Sequence, residues 1–236
     1  MTMTKSDLTD FSVMSPNYYA GRAYPVTRVT VHHMAGNLTA AQCGAVFAST
    51  ARQASSNYGI GSDGEIAMYV DEDNAAWTSS SYDNDNRAIT IEVADYDCDN
   101  WIPSQDAYDS TVKLCADICQ RYGITPTYTG DTRGSFTEHM MFAATGCPGP
   151  WWHDHMGAFV QDVKTYMEGG DMATPAEVWS FRNSSLEKVD CYQILRDARD
   201  YAKQAKAAAE KASTGNVDYD KLATAVADKL AARLKA

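Results

Sequence analysis

The first 168 residues predict an α/β domain, because segments typical of strands alternate along them with segments typical of helices. Residues 26–31 and 87–93 are rich in β-branched side chains, which indicates buried strands. Residues 103–122 instead repeat apolar side chains at helical spacing. Beyond the glycine pair at 169–170 the composition changes, and we expect a separate helical region there.

The first predicted elements are a strand and a helix. The strand 26–31 ends directly before His32 and delivers that side chain at its carboxyl end. Thr39 and Gln42 have the spacing of a capping box, which predicts a helix that begins there and runs to about Arg52.

A hairpin and a central strand follow. Residues 57–60 and 65–70 flank the turn Ser62-Asp63-Gly64 and predict two paired strands. Residues 87–93 are apolar or β-branched on both faces, so we expect this strand in the middle of the sheet.

Two longer helices complete the predicted domain. One begins at Pro103-Ser104 and stops at Gly123, since glycine often ends a helix. The other follows Pro150 and continues to about Met167. We therefore predict a domain over residues 1–168.

The remainder of the chain divides into a linker, residues 169–185, and a helical C-terminal region, residues 186–236. The last helix has a single narrow apolar stripe, too narrow to fold alone. The stripe consists of Leu222, Val226, Leu230 and Leu234. Three roles are open for this region: binding of an external surface or a partner, homo-oligomerisation through a helical bundle, and docking on the domain that precedes it.

Charge and hydropathy exclude some functions. The net charge is −11, and residues 1–168 contain 9 basic and 21 acidic side chains. Such a domain repels the phosphates of nucleic acid. No segment approaches the ~18 apolar residues of a membrane span. The N-terminus MTMTKSDLTDFSVMSP has no apolar stretch typical of an export signal, and in its absence reduced cysteines are the expectation.

Two histidines and a cysteine are candidate ligands of a catalytic zinc. His32 follows the first strand, and His139 and Cys147 are close enough in sequence for a turn to bring them together. Imidazole and thiolate are donors that Zn²⁺ prefers, and a catalytic zinc uses three protein ligands. Only the fold can bring His32 to the other two.

Five segments stand in the order expected of one known family. They are YPVTRVTVHHMAG (24–36), ASSNYGIGSDGEIAMYV (54–70), AAW (75–77), NRAITIEVA (86–94) and HMMFAATGCPGP (139–150). Together they resemble the type 2 N-acetylmuramoyl-L-alanine amidases, zinc enzymes related to peptidoglycan recognition proteins. The resemblance extends from about Pro16 to Met167 and implies a central mixed β-sheet flanked by helices.

The resemblance also implies roles for single residues. Zn²⁺ is bound by the first histidine of the pair, His32, together with His139 and Cys147. Glu92 matches the catalytic glutamate of the family, and an unpaired charge is costly to bury in an apolar strand. The alternative for Glu92 is a pair with a surface cation at a sheet edge. Thr145 stands where many members place an oxyanion-stabilising lysine, so we expect its hydroxyl to assist instead, with less effect.

Three further residues are expected to contact substrate: His33, Tyr58 and Trp77. The alternative for His33 is a hydrogen-bonded core residue, because it points away from His32 on a strand. Tyr58 is assigned only to lining the cleft, since Ser56 occupies the position where some members have a catalytic tyrosine. Trp77 lies in the A-x-W segment, and the alternative for it is a place in the core.

Other metal-ligand patterns have structural alternatives. Cys115 and Cys119 fall on the apolar face of a predicted helix, which favours core thiols. The segment His153-Asp154-His155 is interpreted as the polar part of an early helical turn. The acidic residues of 95–99 imitate the start of a calcium loop, but Asn100 occupies the position that requires glycine.

The predicted function is hydrolysis of the amide bond between N-acetylmuramic acid and L-alanine in peptidoglycan. A non-catalytic peptidoglycan receptor and a bacterial cytoplasmic wall-recycling amidase are the alternatives. The compact domain with a short appendage favours a phage or prophage endolysin. We expect such a protein in the host cytoplasm before lysis, reaching the cell wall through a holin.

Overall fold

The computed structural model describes residues 4–169; the predictions for 170–236 lie outside the described residues. In chain order the strands are β1 (Phe11–Ser12), β2 (Tyr18–Tyr19), β3 (Arg28–His33), β4 (Tyr58–Ile60), β5 (Ile66–Met68), β6 (Ala75–Ala76), β7 (Ala88–Val93) and β8 (Phe136–Glu138). The helices are α1 (Ala40–Phe47), α2 (Tyr82–Arg87), α3 (Gln105–Tyr122) and α4 (Pro150–Met167). Among the described residues, no helix has the length and apolar character needed to cross a bilayer.

Six strands form one mixed sheet in the order β1-β5-β4-β7-β3-β8. The β4–β5 hairpin is antiparallel, whereas every other neighbouring pair in this sheet is parallel. Strand β7 is central, as its sequence predicts. Strands β2 and β6 pair separately as a small antiparallel sheet. The predicted α/β class with a mixed central sheet is confirmed.

The two faces of the sheet differ in chemistry because side chains alternate along each strand. On one face, Val29, Val31, Ile89 and Ile91 pack with the apolar sides of α3 and α4 in the main core. The opposite face carries Thr30 and His32 on β3 and Thr90 and Glu92 on β7. We call this second surface the polar face.

Helices α1 and α2 both contact strands on the polar face. Cys43 and Phe47 of α1 pack against Tyr69 in a second apolar cluster. Helix α2 contacts a different part of this face: the Asn84 side-chain amide donates to the hydroxyl of Thr30 on β3 at 2.9 Å. These contacts cover the outer parts of the polar face with apolar and hydrogen-bonded groups.

Helix α1 begins where the sequence predicts but ends earlier. Both bonds of the capping box are present, from Gln42 N–H to Thr39 Oγ1 at 3.2 Å and from Thr39 N–H to Gln42 Oε1 at 2.9 Å. The predicted continuation to Arg52 is wrong. The carbonyl of Phe47 instead accepts from the Asn17 side chain at 3.1 Å, and residues 50–52 form a separate 3₁₀ turn.

Two predicted glycine positions are confirmed. Gly123 ends α3 at φ 64°, and Gly64 turns the β4–β5 hairpin at φ 83°. Both angles lie in the left-handed region that other residues rarely adopt. At the other end of α3, the Ser104 hydroxyl accepts from the backbone N–H of Ala107 at 3.0 Å.

Tyr58 lies in the core, which corrects the prediction that it lines a cleft. Its side chain is fully buried on the face that packs against α3. Its hydroxyl donates to the Glu72 carboxylate at 2.5 Å. The same carboxylate accepts from Arg121 at 2.6 and 2.8 Å and from the Tyr122 hydroxyl at 2.8 Å. Tyr58 thus belongs to a buried polar network.

This network predicts a clear stability effect. Substituting Glu72→Gln removes the buried charge that pairs with Arg121, and we expect the free energy of unfolding to fall by about 2–3 kcal/mol. The matched control is Asp83→Asn, which breaks the exposed pair with Arg87 and is expected to cost less than about 1 kcal/mol. Urea denaturation of both variants checks the difference. Equal effects would contradict it.

Candidate metal centre

His32 lies near the carboxyl end of β3 on the polar face. Strand β3 is paired on both sides, and the side chain of His32 is almost completely buried. Its Cα partner on β7 is Glu92. On the other side, Val31 pairs with Glu138 of β8. The next residues of these two strands, His32 and His139, therefore come side by side.

A short loop returns Cys147 to His139. His139 opens a 3₁₀ turn directly after β8. The backbone N–H of Met140 donates to the Cys147 carbonyl at 2.9 Å, which closes the loop. The N–H of Cys147 donates in turn to the Thr145 hydroxyl at 3.2 Å.

The three predicted ligands converge. Ligand atoms of His32, His139 and Cys147 all lie within 4.8 Å of one another, and the sulfur is 3.6 Å from His32 Nδ1. Both histidines also have a buried Nε2 that finds no hydrogen-bond partner among the described residues. Buried polar atoms are normally paired, so two orphaned nitrogens beside a thiol fit a site for a soft or borderline cation.

Electrostatics keep the imidazoles in the form that binds metals. Burial, followed by repulsion from His139 and His33, holds the pKa of His32 well below its ordinary value. Burial likewise lowers the pKa of His139. Burial and the negative charge of Glu92 raise the pKa of the Cys147 thiol. A bound cation would counter the last effect, because it favours the thiolate.

Glu92 is the carboxylate beside this group. It is enclosed on most sides but retains some contact with solvent. Burial, with repulsion from Asp95, raises the pKa of Glu92 to about 8, while Arg52 opposes the shift. A cation on the neighbouring ligands would lower this pKa again. The arrangement provides a proton acceptor at the metal-binding end of the polar face.

The space around Glu92 depends on a glycine. Gly59 is its Cα partner on β4, on the side away from His32. A Cβ atom at Gly59 would lie 2.0 Å from the hydroxyl oxygen of Tyr69. That hydroxyl donates to the Ala40 carbonyl at 2.6 Å, so the ring is held and cannot yield easily. Glycine therefore lets the ring of Tyr69 pack close to the sheet beside Glu92.

Thr145 is exposed on the ligand loop. Its hydroxyl oxygen accepts from Cys147 N–H, and its own hydrogen remains available for donation. The predicted role of Thr145 in stabilising an oxyanion stays a prediction.

His33 points to the opposite face from His32, as expected for adjacent strand residues. Its Nδ1 lies 2.8 Å from Asp95 Oδ2, and its ring stacks on Trp101 with centroids 4.6 Å apart. The side chain is only 6% exposed. The side chain of His33 is therefore hydrogen-bonded and largely enclosed, which favours the structural alternative; contact of His33 with substrate stays a prediction.

Trp77 lies next to the polar face. The adjacent Thr78 hydroxyl is 2.9 Å from the hydroxyl of Thr90. The Trp77 ring is half-buried and contacts Tyr19, which in turn contacts Tyr82, with centroids 5.5 and 5.0 Å apart. Tyr19 and Tyr82 are exposed. We call these three residues the aromatic patch. Contact of Trp77 with substrate stays a prediction.

Several contacts that support the site have no signal in the sequence patterns. Glu138, fully buried, accepts from the Tyr128 hydroxyl and lies 2.9 Å from His153 Nδ1. Asp95, considered above only for calcium, holds His33. Strand β8 was not predicted at all, although the alternation of Phe136, Thr137 and Glu138 is a short strand signal.

The other metal-ligand patterns have the structural roles that the sequence favours. Cys115 and Cys119 are buried in the main core, and His153 lies in the first turn of α4. Asp97 accepts hydrogen bonds from the backbone N–H groups of Asp99 and Asn100. Within residues 4–169, His32, His139 and Cys147 form the one group of three or more His, Cys, Asp or Glu side chains close enough together to bind the same ion.

Comparison with protein families matches residues 22–150 to the family described as N-acetylmuramoyl-L-alanine amidase. The match covers more than half of the chain and contains all three candidate ligands as well as Glu92. The chain therefore belongs to this family, the type 2 amidases, and the resemblance found in the sequence is confirmed. A comparison with curated protein sequences finds no match.

Solved structures share the fold at low sequence identity. A mutant of PlyL is 14% identical, with a TM-score of 0.54, covering 70% of this chain and 99% of that one. The PlyG catalytic domain is 17% identical, with a TM-score of 0.52, covering 67% and 96%. A mutant endolysin from Bacillus subtilis is 17% identical, with a TM-score of 0.52, covering 66% and 99%. Likeness at this level establishes the fold alone.

Proposed function

We propose that this protein is a zinc-dependent amidase that cuts peptidoglycan between N-acetylmuramic acid and the L-alanine of the stem peptide. The observation that carries the proposal is the convergence of His32, His139 and Cys147 with Glu92 alongside. Two neutral imidazoles and one thiol form a ligand set that zinc prefers, and three protein ligands are typical of a catalytic zinc. Membership of the amidase family supports the same reaction.

Each part of the chemistry falls to a different group. Zinc, when bound by the three ligands, supplies Lewis acidity that polarises the scissile carbonyl and acidifies water. Glu92 accepts the proton of the attacking water and returns it to the leaving amine of L-alanine. The peptide C–N bond breaks, and the muramyl lactyl group becomes a carboxylate. The Thr145 hydroxyl donates to the oxygen on which negative charge develops.

The aromatic patch supports a position for the saccharide. Pyranose rings present apolar C–H faces that pack on aromatic rings, and Trp77 lies with Tyr19 and Tyr82 beside the polar face. In this proposal the muramic acid side of the substrate rests on the patch. The stem peptide then extends from the metal site away from the aromatic patch.

A receptor without activity is the second candidate, since the same fold can bind peptidoglycan. The complete ligand trio and the adjacent Glu92 favour the enzyme, because a receptor requires neither. For the biological setting we propose an endolysin that accumulates in the host cytoplasm and reaches the wall through a holin. A cytoplasmic recycling amidase is the alternative. Lysis of cells by added enzyme, compared with cleavage of soluble wall fragments only, distinguishes these settings.

Metal binding by the three candidate ligands can be tested directly. We expect the protein to bind one zinc ion and Cys147→Ser or His139→Ala to lower the affinity more than about 100-fold, since losing an outer partner alone costs 10–100-fold. Competition with a chelator, followed by metal analysis, measures the affinity. Cys98→Ser is the control, because Cys98 is exposed and lies outside the trio. Unchanged affinity in Cys147→Ser would disprove the ligand assignment.

The second prediction separates catalysis from metal binding. Glu92→Gln should keep its zinc but lower kcat on purified wall by about 10²–10⁴-fold, the usual contribution of a general base. Mass spectrometry of the released fragments identifies the bond that is cut. Glu65→Gln, at an exposed carboxylate of the hairpin turn, serves as control and should match wild type. Full activity in Glu92→Gln would remove the proposed base.

The third prediction concerns the aromatic patch. Trp77→Ala should raise KM for glycan-containing substrate about 3–10-fold, equivalent to roughly 1 kcal/mol of apolar contact, with little change in kcat. Tyr166→Ala is the control, since Tyr166 is exposed on α4, which packs on the opposite face of the sheet. If both variants have the same KM, the patch does not bind saccharide.

A further inference from the structure

Trp101 connects the ligand loop with the strand that carries His32, although it is not a ligand itself. Its indole stacks on the imidazole of His33, with ring centroids 4.6 Å apart and planes inclined by 30°. His33 directly follows the ligand His32 on β3. One side of the indole is therefore fixed to the central sheet.

The indole also touches the loop that carries Cys147. A Cβ atom at Gly149 would lie 2.7 Å from Cε3 of the indole and 3.1 Å from Cβ of Trp101. A Cβ atom at Gly146 would lie 3.4 Å from Cζ3. The backbone on both sides of Cys147 thus lies against Trp101, and only glycine permits this close approach at 149.

Neighbouring bonds hold the indole in this place. Asp95 Oδ2 anchors the stacked imidazole through Nδ1 of His33 and also accepts from Gly36 N–H at 3.1 Å. Asp97 and Ile102 exchange two backbone hydrogen bonds of 3.0 and 3.1 Å, which close the turn that presents Trp101.

The backbone of Trp101 has a left-handed conformation, with φ at 58°. For a bulky side chain this conformation is an outlier, and such strain persists only where the surroundings enforce it. Here the closed turn and the two ring contacts supply the enforcement. An unfavourable conformation is thus maintained at the residue that supports the ligand loop.

We propose that Trp101 is a positioning residue for the Cys147 ligand. By filling the space between His33 and the loop of residues 146–149, the indole keeps the sulfur at a fixed distance from the two imidazoles. Gly146 and Gly149 make the loop adaptable, and residues 144–146 are exposed, so the indole adds packing to a loop that is otherwise held by its own hydrogen bonds. The inference rests on the proposed function in that the bound ion is zinc.

Two other roles for Trp101 predict different behaviour. An indole that stacks on substrate sugar would affect KM but not the metal. An indole that only fills apolar space would affect stability but not the geometry at the sulfur. Measurements on the metal itself therefore separate positioning from both.

The test uses the full chain, stripped of metal and reloaded with Zn²⁺ or Co²⁺. For Trp101→Ala we expect a 10–100-fold loss of zinc affinity, the range typical when a residue supporting a ligand is removed. We also expect a weaker or shifted thiolate-to-cobalt absorption band, because that band reports the sulfur–metal geometry. Trp101→Phe keeps a flat ring and should restore most of both signals.

Leu114→Ala is the matched control for destabilisation. Leu114 is fully buried in α3, and its truncation should lower the melting temperature while leaving zinc affinity and the cobalt spectrum as in wild type. If Trp101→Ala does not fold, Trp101→Leu replaces it, because leucine keeps apolar volume without a flat ring. A several-fold loss of zinc affinity is then expected.

Wild-type zinc affinity and an unchanged cobalt spectrum in the Ala or Leu variant would overturn the positioning role. A raised KM with an unchanged spectrum would also overturn it, in favour of substrate stacking. If the wild-type protein binds neither metal, the proposed function fails together with this inference. If wild type binds zinc and cuts wall while the Trp101 variants behave like it, only the inference fails.

Discussion

The parallel register of β3 between β7 and β8 is the constraint on which the candidate site depends. It pairs His32 with Glu92 on one side and aligns it with His139 on the other. A slip by one residue would turn His32 toward the apolar core. The Thr30 hydroxyl opposes such a slip, because it lies 2.9 Å from the Thr137 hydroxyl on the same face. The pairing of β3 with β7 and β8 therefore determines both the sheet and the positions of the candidate site residues.

The negative charges near His32, His139 and Cys147 favour a cation at the proposed metal site. Burial, and after it the negative charges of Glu92, Asp95 and Glu138, raise the pKa of the Cys147 thiol, whereas burial lowers the pKa of the His32 imidazole. Without a positive ion, a partly buried thiol beside Glu92 is disfavoured as a thiolate. A divalent cation resolves the conflict, because it stabilises a thiolate and the nearby carboxylates together. The neutral imidazoles and the orphaned nitrogens thus both fit the proposed metal site.

The three candidate ligands could be predicted from their residue types together with the family's segments around them, and the main strands from their β-branched runs. Prediction fails where a residue has a partner remote in sequence. Alternation along the strand predicts that Tyr58 faces a cleft. Its hydroxyl instead donates to the buried Glu72 carboxylate, which also accepts from Arg121. Helix α1 lacks any local stop at Phe47, whose carbonyl accepts hydrogen bonds from the side chains of Ser15 and Asn17. Such contacts exist only after folding, so no local pattern could reveal them.

The division of the sheet into two faces explains why support for the site comes from the apolar side. Side chains that pack on α3 and α4 are fixed by dense contacts, whereas Glu92 on the polar face retains some contact with solvent. The candidate histidine ligands are therefore held in place by neighbouring residues of β3 and β8, whose side chains point to the opposite face of the sheet. His33 alternates with His32 and is held by Asp95, and Glu138 precedes His139 and pairs with His153. Each candidate histidine ligand therefore has a neighbour whose side chain is held by a hydrogen bond, which helps to define the geometry of the site.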